Sequence, residues 1–105
     1  MIARLWSART TPALSDSYLA HFSQSVQPRL RALAGFLGAT VCTRPIQHAV
    51  DILVTTYWQS FAAIDAFAGS DRESAVVADE AAALLTDFDH RVRHYEVAIS
   101  IFPSA

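Results

Sequence analysis

The sequence predicts a single α+β domain over residues 1–105, with the element order β-α-β-β-α-β. Three observations predict it. Four runs carry strand character: Ile2–Arg9, Phe36–Arg44, Val50–Trp58 and Val92–Phe102. An apolar stripe at Leu14, Tyr18, Phe22, Val26 and Leu30, with Leu33 on the same side, fills the interval between the first two runs and has helical spacing. The segment Tyr57–Gly69 then reads as strand, tight turn and short helix, with a tryptophan at the junction.

Each element has its own local reason. Ile2–Arg9 alternates loosely and is bounded by Thr10-Thr11-Pro12. Thr11 followed by Pro12 is a helix start, because proline's fixed φ suits the first turn and its missing N–H costs nothing there. Pro28 interrupts the stripe and is expected to kink that helix or end its regular part, and Gly35 stops it. Phe36–Arg44 and Val50–Trp58 are rich in β-branched residues and flank a turn at Pro45–His48, so they form an antiparallel hairpin. Ser60 caps a helix over Phe61–Ala68 that Gly69 ends; Phe61, Ile64, Phe67 and Ala68 share its apolar face. Ser70-x-x-Glu73 has the capping-box pattern and predicts a short helical piece through Val77. Asp79 is expected to cap a last helix, Glu80 to His90, burying Ala83, Leu84 and Phe88.

This order is the ferredoxin-like split βαβ arrangement. Right-handed crossovers place the strands 4-1-3-2, antiparallel throughout, with helices on one face. The other face stays apolar and needs a cover. Of the chain, 52% is hydrophobic and only 17% charged, more apolar surface than one small core hides. A homodimer, with two sheets facing each other as a dimeric α+β barrel, is the expected partner arrangement.

A net charge of −2 with no basic stripe argues against nucleic acid. The single cysteine, Cys42, excludes an internal disulfide. The opening Met1-Ile2-Ala3-Arg4 lacks an apolar leader segment, and no run approaches membrane-spanning length. A cytoplasmic protein without membrane contact is expected. Nucleophile-elbow, P-loop and GxGxxG patterns are absent from the sequence.

Four stretches, in order and at matching spacing, carry a resemblance. They are Met1-Ile2-Ala3-Arg4-Leu5-Trp6, the Tyr57–Gly69 segment, Phe67-Ala68-Gly69-Ser70-Asp71 with Ala75-Val76, and His94-Tyr95-Glu96-Val97. Together they resemble the antibiotic-biosynthesis-monooxygenase family of dimeric α+β barrels, and a bacterial subgroup of it in particular. One branch of that family oxidises polyketide anthrones or quinols with dioxygen and no metal or flavin. The resemblance implies a cofactor-free monooxygenase acting on an aromatic, polyketide-like or quinol molecule. Trp58 matches that branch's third-strand tryptophan. Its asparagine, tyrosine and arginine positions fall at Val54, Ile64 and near Ala78. A second branch degrades haem held by a histidine past the second helix; Ala68–Phe88 contains none, which argues against haem. A non-catalytic ligand-binding or assembly protein of the same fold is the alternative.

On the implied geometry, Val50, Ile52, Val54, Thr56 and Trp58 face the helices. A pocket there is lined by Trp58, Trp6, Val54 and Phe67 and suits a small apolar or aromatic ligand. His94 is the candidate general base, since histidine titrates near neutrality, or else is tied to a polar neighbour such as Glu96 or Arg4; Trp58 is the orienting residue. His90 and His94 straddle a helix–strand boundary and lack a third ligand, so no metal is expected. His21 flanks the first helix's stripe and reads as a surface residue; His48 reads as solvated in its turn. Cys42 reads as a small core or edge residue.

Overall fold

The computed structural model describes residues 1–103. The elements are β1 (Ile2–Thr10), α1 (Pro12–His21), a π-helical turn (Phe22–Val26), α2 (Gln27–Arg31), β2 (Phe36–Ile46), β3 (Ala49–Trp58), α3 (Phe61–Ala68), α4 (Asp79–Ala82), β4 (Asp87–Phe88) and β5 (Arg93–Glu96). The sheet runs β2-β3-β1-β4, with β5 also on β1, and every pairing is antiparallel. β4 and β5 lie end to end along one edge of β1, opposite Ala8–Arg9 and Ile2–Leu5 respectively, so they act as one interrupted fourth strand. This is the ferredoxin-like 4-1-3-2 order expected from the sequence.

The caps are those the residue types favour. Thr11 Oγ1 accepts from the Leu14 amide at 3.2 Å, and Ser60 Oγ from the Ala63 amide at 3.2 Å. Gly69, at φ 86°, donates its amide to the Asp65 carbonyl at 2.8 Å and closes α3. In β3 the residues Val50, Ile52, Val54, Thr56 and Trp58 are all buried under the helices, a strict period of two. Two clusters form the core. Ala8, Tyr18, Ile52, Val54 and Ala81 make one; Ile2, Leu30, Trp58 and Ile64 make the other.

Four local expectations are corrected, while that for Pro28 holds in its second form: the regular part of the first helix ends at His21, ahead of the proline. The chain widens to a π turn just before it, in which the Gln27 amide reaches the Phe22 carbonyl. A π turn rephases the ladder, so the helix continues without the proline's missing donor. β2 runs through Pro45 to Ile46, because it is an edge strand, where proline is tolerated; the turn shrinks to Gln47-His48, with Gln47 at φ 50°. Ser70–Val77 is not helical. Asp71 takes the Glu73 amide on its side chain and the Ser74 amide on its carbonyl, making a turn, and Ser74 bridges to Arg91. This local capture of backbone amides competes with helix.

The last helix ends at Ala82 rather than His90, and its cap is Ala78 rather than Asp79. The Leu84 carbonyl accepts from Thr10 Oγ1 at 2.6 Å, and the Thr86 amide donates to the Arg9 carbonyl at 2.9 Å. Pairing with the β1 edge thus takes the groups a longer helix needed, while Leu84 and Phe88 still pack on the core. The last strand is also shorter than Val92–Phe102. β1 begins at Ile2, opposite Glu96, and after the Val97 amide meets the Met1 carbonyl no strand lies alongside among the described residues. Ile99, Ile101 and Phe102 are exposed.

Candidate functional site

An apolar chamber of about 80 Å³ lies between the sheet and the helices, where the two core clusters meet. Its sheet wall is Arg4, Trp6, Val54 and Thr56. Its helix wall is Tyr18, His21, Phe22, Val26 and Leu30, and Phe67 closes it from α3. Val76, Val77, Ala78, Ala81 and Val92 complete it from the irregular segment that follows α3. A second hollow of about 300 Å³ shares His21, Val26, Phe67, Val76 and Ala78 with the first and adds Ser25, Arg29 and Glu80. These shared side chains line both hollows and are the partition along which a small chamber and a wider mouth adjoin.

Four polar groups reach this otherwise aliphatic and aromatic space. His21 is half-buried, yet its Nε2 is wholly buried and finds no hydrogen-bond partner among the described residues. An unsatisfied buried polar atom costs about 1–3 kcal/mol, so it calls for a partner. Tyr18 stands one turn earlier on the same helix face, buried, and burial pushes its phenol up to about 12, so it is a neutral donor at physiological pH. The Thr56 hydroxyl accepts from Trp58 Nε1 at 2.8 Å.

Arg4 is the fourth. It is 4% exposed. Its Nη1 donates to the Arg72 carbonyl and, at 2.9 Å, to His94 Nε2; its Nη2 donates to the Ser74 carbonyl at 2.8 Å. Burial alone lowers its pKa to about 10, so the guanidinium stays charged at neutral pH. Among the described residues no carboxylate forms a salt bridge with it. The acids nearby are engaged elsewhere: Asp65 with Arg72 at 2.8 Å, and Asp71 and Glu73 with Arg91 at 3.0 Å. A buried cation without a counter-ion costs several kcal/mol and is unusual outside functional sites.

The residues singled out from the sequence divide in two. Trp6, Val54 and Phe67 are brought together on the chamber wall. Trp6 stacks on Tyr18 at 6.4 Å and anchors its indole N–H on the Asp89 carbonyl at 2.8 Å. Trp58 is fully buried between Phe36 and Phe67, at 5.4 and 5.5 Å, and stands behind the wall that Thr56 and Phe67 present. His94 stands behind Arg4. Arginine has only donors, so His94 Nε2 must be the unprotonated nitrogen, with its lone pair occupied. Desolvation first, then Arg4, holds the His94 pKa below its ordinary value.

Reading the sequence missed Arg4 and His21. The signals were faint. Arg4 sits at an inward-facing position of an alternating strand, and His21 lies three residues from Tyr18 on a stripe that Pro28 was about to disturb. Of the other candidates, Cys42 and His48 are exposed. Among the described residues no group of three or more His, Cys, Asp or Glu side chains is placed to hold a metal, and no helix is long and apolar enough to cross a membrane.

No sequence family and no curated protein matches this chain. Solved structures do. A monooxygenase from the gene ActVA-Orf6 of Streptomyces coelicolor, in complex with nanaomycin D, superposes with a TM-score of 0.70 at 20% identity, covering 98% of this chain and 92% of that one. A Bacillus cereus protein assigned to the antibiotic biosynthesis monooxygenases gives 0.65 at 13% identity, over 99% and 97% of the two chains. The haem degrader MhuD from Mycobacterium tuberculosis, with two haems bound in its active site, gives 0.65 at 20% identity, over 97% and 100%. The chain has the antibiotic-biosynthesis-monooxygenase fold. At these identities the likeness is one of fold.

Within this fold, Val54 and Ala78 line the chamber while Ile64 is fully buried in the second core cluster. The polar side chains of the anthrone-oxidising branch are thus missing at these positions, and Arg4, Tyr18 and His21 enter the same space from β1 and α1. The segment between α3 and β4, where the resemblance implies a haem-holding histidine, contains none.

Proposed function

We propose that this protein is a cofactor-independent, monooxygenase-like protein acting on an aromatic, polyketide-like or quinol small molecule. The observation that carries the reading is the apolar chamber, walled by Trp6, Tyr18, Val54 and Phe67, whose lining also includes the buried Arg4 and the His21 ring. Flat aromatic ligands suit such walls, and the few polar groups would fix orientation.

The chemistry closes without a cofactor. Removal of a proton from an activated aromatic CH₂ or phenol leaves a carbanion or phenolate. That anion supplies the electrons that reduce dioxygen; one oxygen atom becomes a ring carbonyl, and the other leaves as water with the two substrate hydrogens. His21 is the base in this scheme, as the histidine on the chamber wall. His94 acts as a positioning residue through Arg4, and Trp58 through Thr56 and Phe67.

The protein is proposed to be a homodimer. The sheet face away from the helices forms an open concavity of about 690 Å³ lined by residues such as Leu5, Cys42, Leu53 and Arg93. Leu53 and Tyr95 are exposed there, and the apolar residues Ile99, Ile101 and Phe102 extend beyond β5. A second copy covers this surface most simply.

The small inner volume favours one rival, a non-catalytic ligand-binding protein with the same chamber. Oxygen consumption by the metal-free protein with anthrones and hydroquinones separates the two. Uptake above the buffer rate, lost in His21→Ala and reduced in His94→Ala, supports the oxygenase. Ligand binding without uptake supports the rival.

A further inference from the structure

Phe67 lines both the chamber and its mouth, and a guanidinium that lines each lies near its ring. Arg4 lies within the chamber wall, 5.7 Å from the ring centroid. Arg29 lies at the mouth, 5.0 Å from the same centroid. Both are without a salt bridge among the described residues. Glu80 also lines the mouth but does not pair with Arg29.

The two cations differ in what holds them. The Arg29 side chain is exposed and solvated. Arg4 is buried, and its three hydrogen bonds go to two carbonyls and a neutral imidazole. A guanidinium has five N–H donors, so Nε–H and one Nη2 proton remain without an acceptor among the described residues. Carbonyls neutralise none of its charge. An anion with planar oxygens would satisfy both the charge and the spare donors, and such charge-assisted bonds are about twice as strong as neutral ones.

We propose that the chamber takes an aromatic ligand carrying an ionised oxygen, drawn in past Arg29 and neutralised by Arg4 once Phe67 yields. This rests on the assignment of the chamber as the ligand site and specifies the charge of what binds there. The geometry also sets a size sequence. One ring with its oxyanion occupies the inner space only if the partition gives way, and a second ring then lies in the mouth. Phe67 and Val76 are the large apolar side chains in that partition that do not belong to the first helix.

The test compares isosteres that differ in charge. Benzoate and 2-naphthoate are titrated against benzamide and 2-naphthamide, by calorimetry on the intact protein near neutral pH. The carboxylates are expected to bind more tightly by about tenfold or more, the scale of one charge-assisted contact. That preference should vanish in Arg4→Gln and persist in part in Arg4→Lys. In Arg29→Gln the affinity should fall a few-fold and lose much of its salt dependence. Equal binding of acid and amide overturns the anionic assignment and leaves the chamber reading standing. A carboxylate preference that Arg4→Gln leaves intact overturns the role of Arg4. If none of the four compounds binds, both the inference and the reading beneath it fail. Should Arg4→Gln not fold, the wild-type comparison and Arg29→Gln still decide.

Discussion

Replacing Trp58 by phenylalanine separates a wall residue from one that supports the wall. Trp58 is completely buried, edge-on to Phe36 and tilted against Phe67, with its indole N–H on Thr56 Oγ1. Phenylalanine keeps one ring and leaves part of the indole volume empty. Complete truncation of a buried tryptophan costs about 3–5 kcal/mol, so the partial loss is about 1–2 kcal/mol. The lost hydrogen bond adds about 1 kcal/mol. The expected destabilisation is about 2–3 kcal/mol, a lowering of Tm by about 10–20 °C in a domain of this size. The variant should still fold, because natural domains have about 5–15 kcal/mol in hand. Urea unfolding at fixed protomer concentration measures the loss, the concentration being held because dimerisation contributes. Turnover should fall as well, since Thr56 and Phe67 both lose a neighbour that holds them at the chamber. Trp6→Phe is the control: Trp6 is only part-buried, so that substitution should cost less stability and change ligand affinity more. A loss below about 0.5 kcal/mol for Trp58→Phe, with binding abolished, would mean that Trp58 contacts ligand directly and that the wall has been drawn wrongly.

Gly35 and Gly69 have nearly the same φ, 85° and 86°, but different surroundings. Gly69→Ala meets open space and should cost only backbone strain, about 1–3 kcal/mol, whereas Gly35→Ala puts a Cβ 2.6 Å from that of Ala63 and should cost clearly more by thermal unfolding. Because the folded-state pKa of His94 is depressed, its contribution to stability is fully present above the ordinary histidine value of 6.5 and is lost as pH falls through the lower folded value. Urea midpoints across that acidic window should therefore decline in the wild type and decline less in His94→Gln. For Tyr18 the sign is opposite. Its raised value keeps the phenol protonated in the fold between the ordinary 10 and about 12, so that stability is lost as pH rises through this range; ultraviolet titration should show a phenol near 12 that is missing in Tyr18→Phe.

The sequence carried the architecture because the relevant signals are local and agree with one another. Thr11-Pro12, Ser60 and Gly69 mark helix ends by chemistry that acts within a few residues, and all three act as expected. β3 alternates without exception, which fixed both its register and its inward face. The misjudged stretch, residues 70–90, has equally good local signals for helix. Over 70–77 the Asp71 turn took the backbone amides, and from Leu84 on the outcome was decided by the edge of β1, through Thr10 and Arg9, whose hydrogen-bond partners lie more than seventy positions away in the chain. The same distance hid the site. The tie between His94 and Arg4 was among the readings the sequence offered, but nothing near Arg4 in sequence shows that its guanidinium also lies against the carbonyls of Arg72 and Ser74. A buried histidine nitrogen such as that of His21 is likewise a property of packing. Trp6, Val54 and Phe67 were legible because strand parity and helix phase, with the face chosen by the implied family geometry, put them on the inner face.

The two indole N–H groups offer the most direct measurement of the central claim, that ligand occupies the chamber between sheet and helices. Trp6 lines that chamber and Trp58 stands behind its wall, so their two indole signals, assigned with Trp6→Phe and Trp58→Phe, report the site in one proton–nitrogen correlation spectrum. Titration with 2-naphthoate should shift the Trp6 indole and the Tyr18 and His21 amides most, and Trp58 far less. Largest shifts at Cys42, Asp51 and Leu53 would instead place the ligand on the open sheet face and contradict the account.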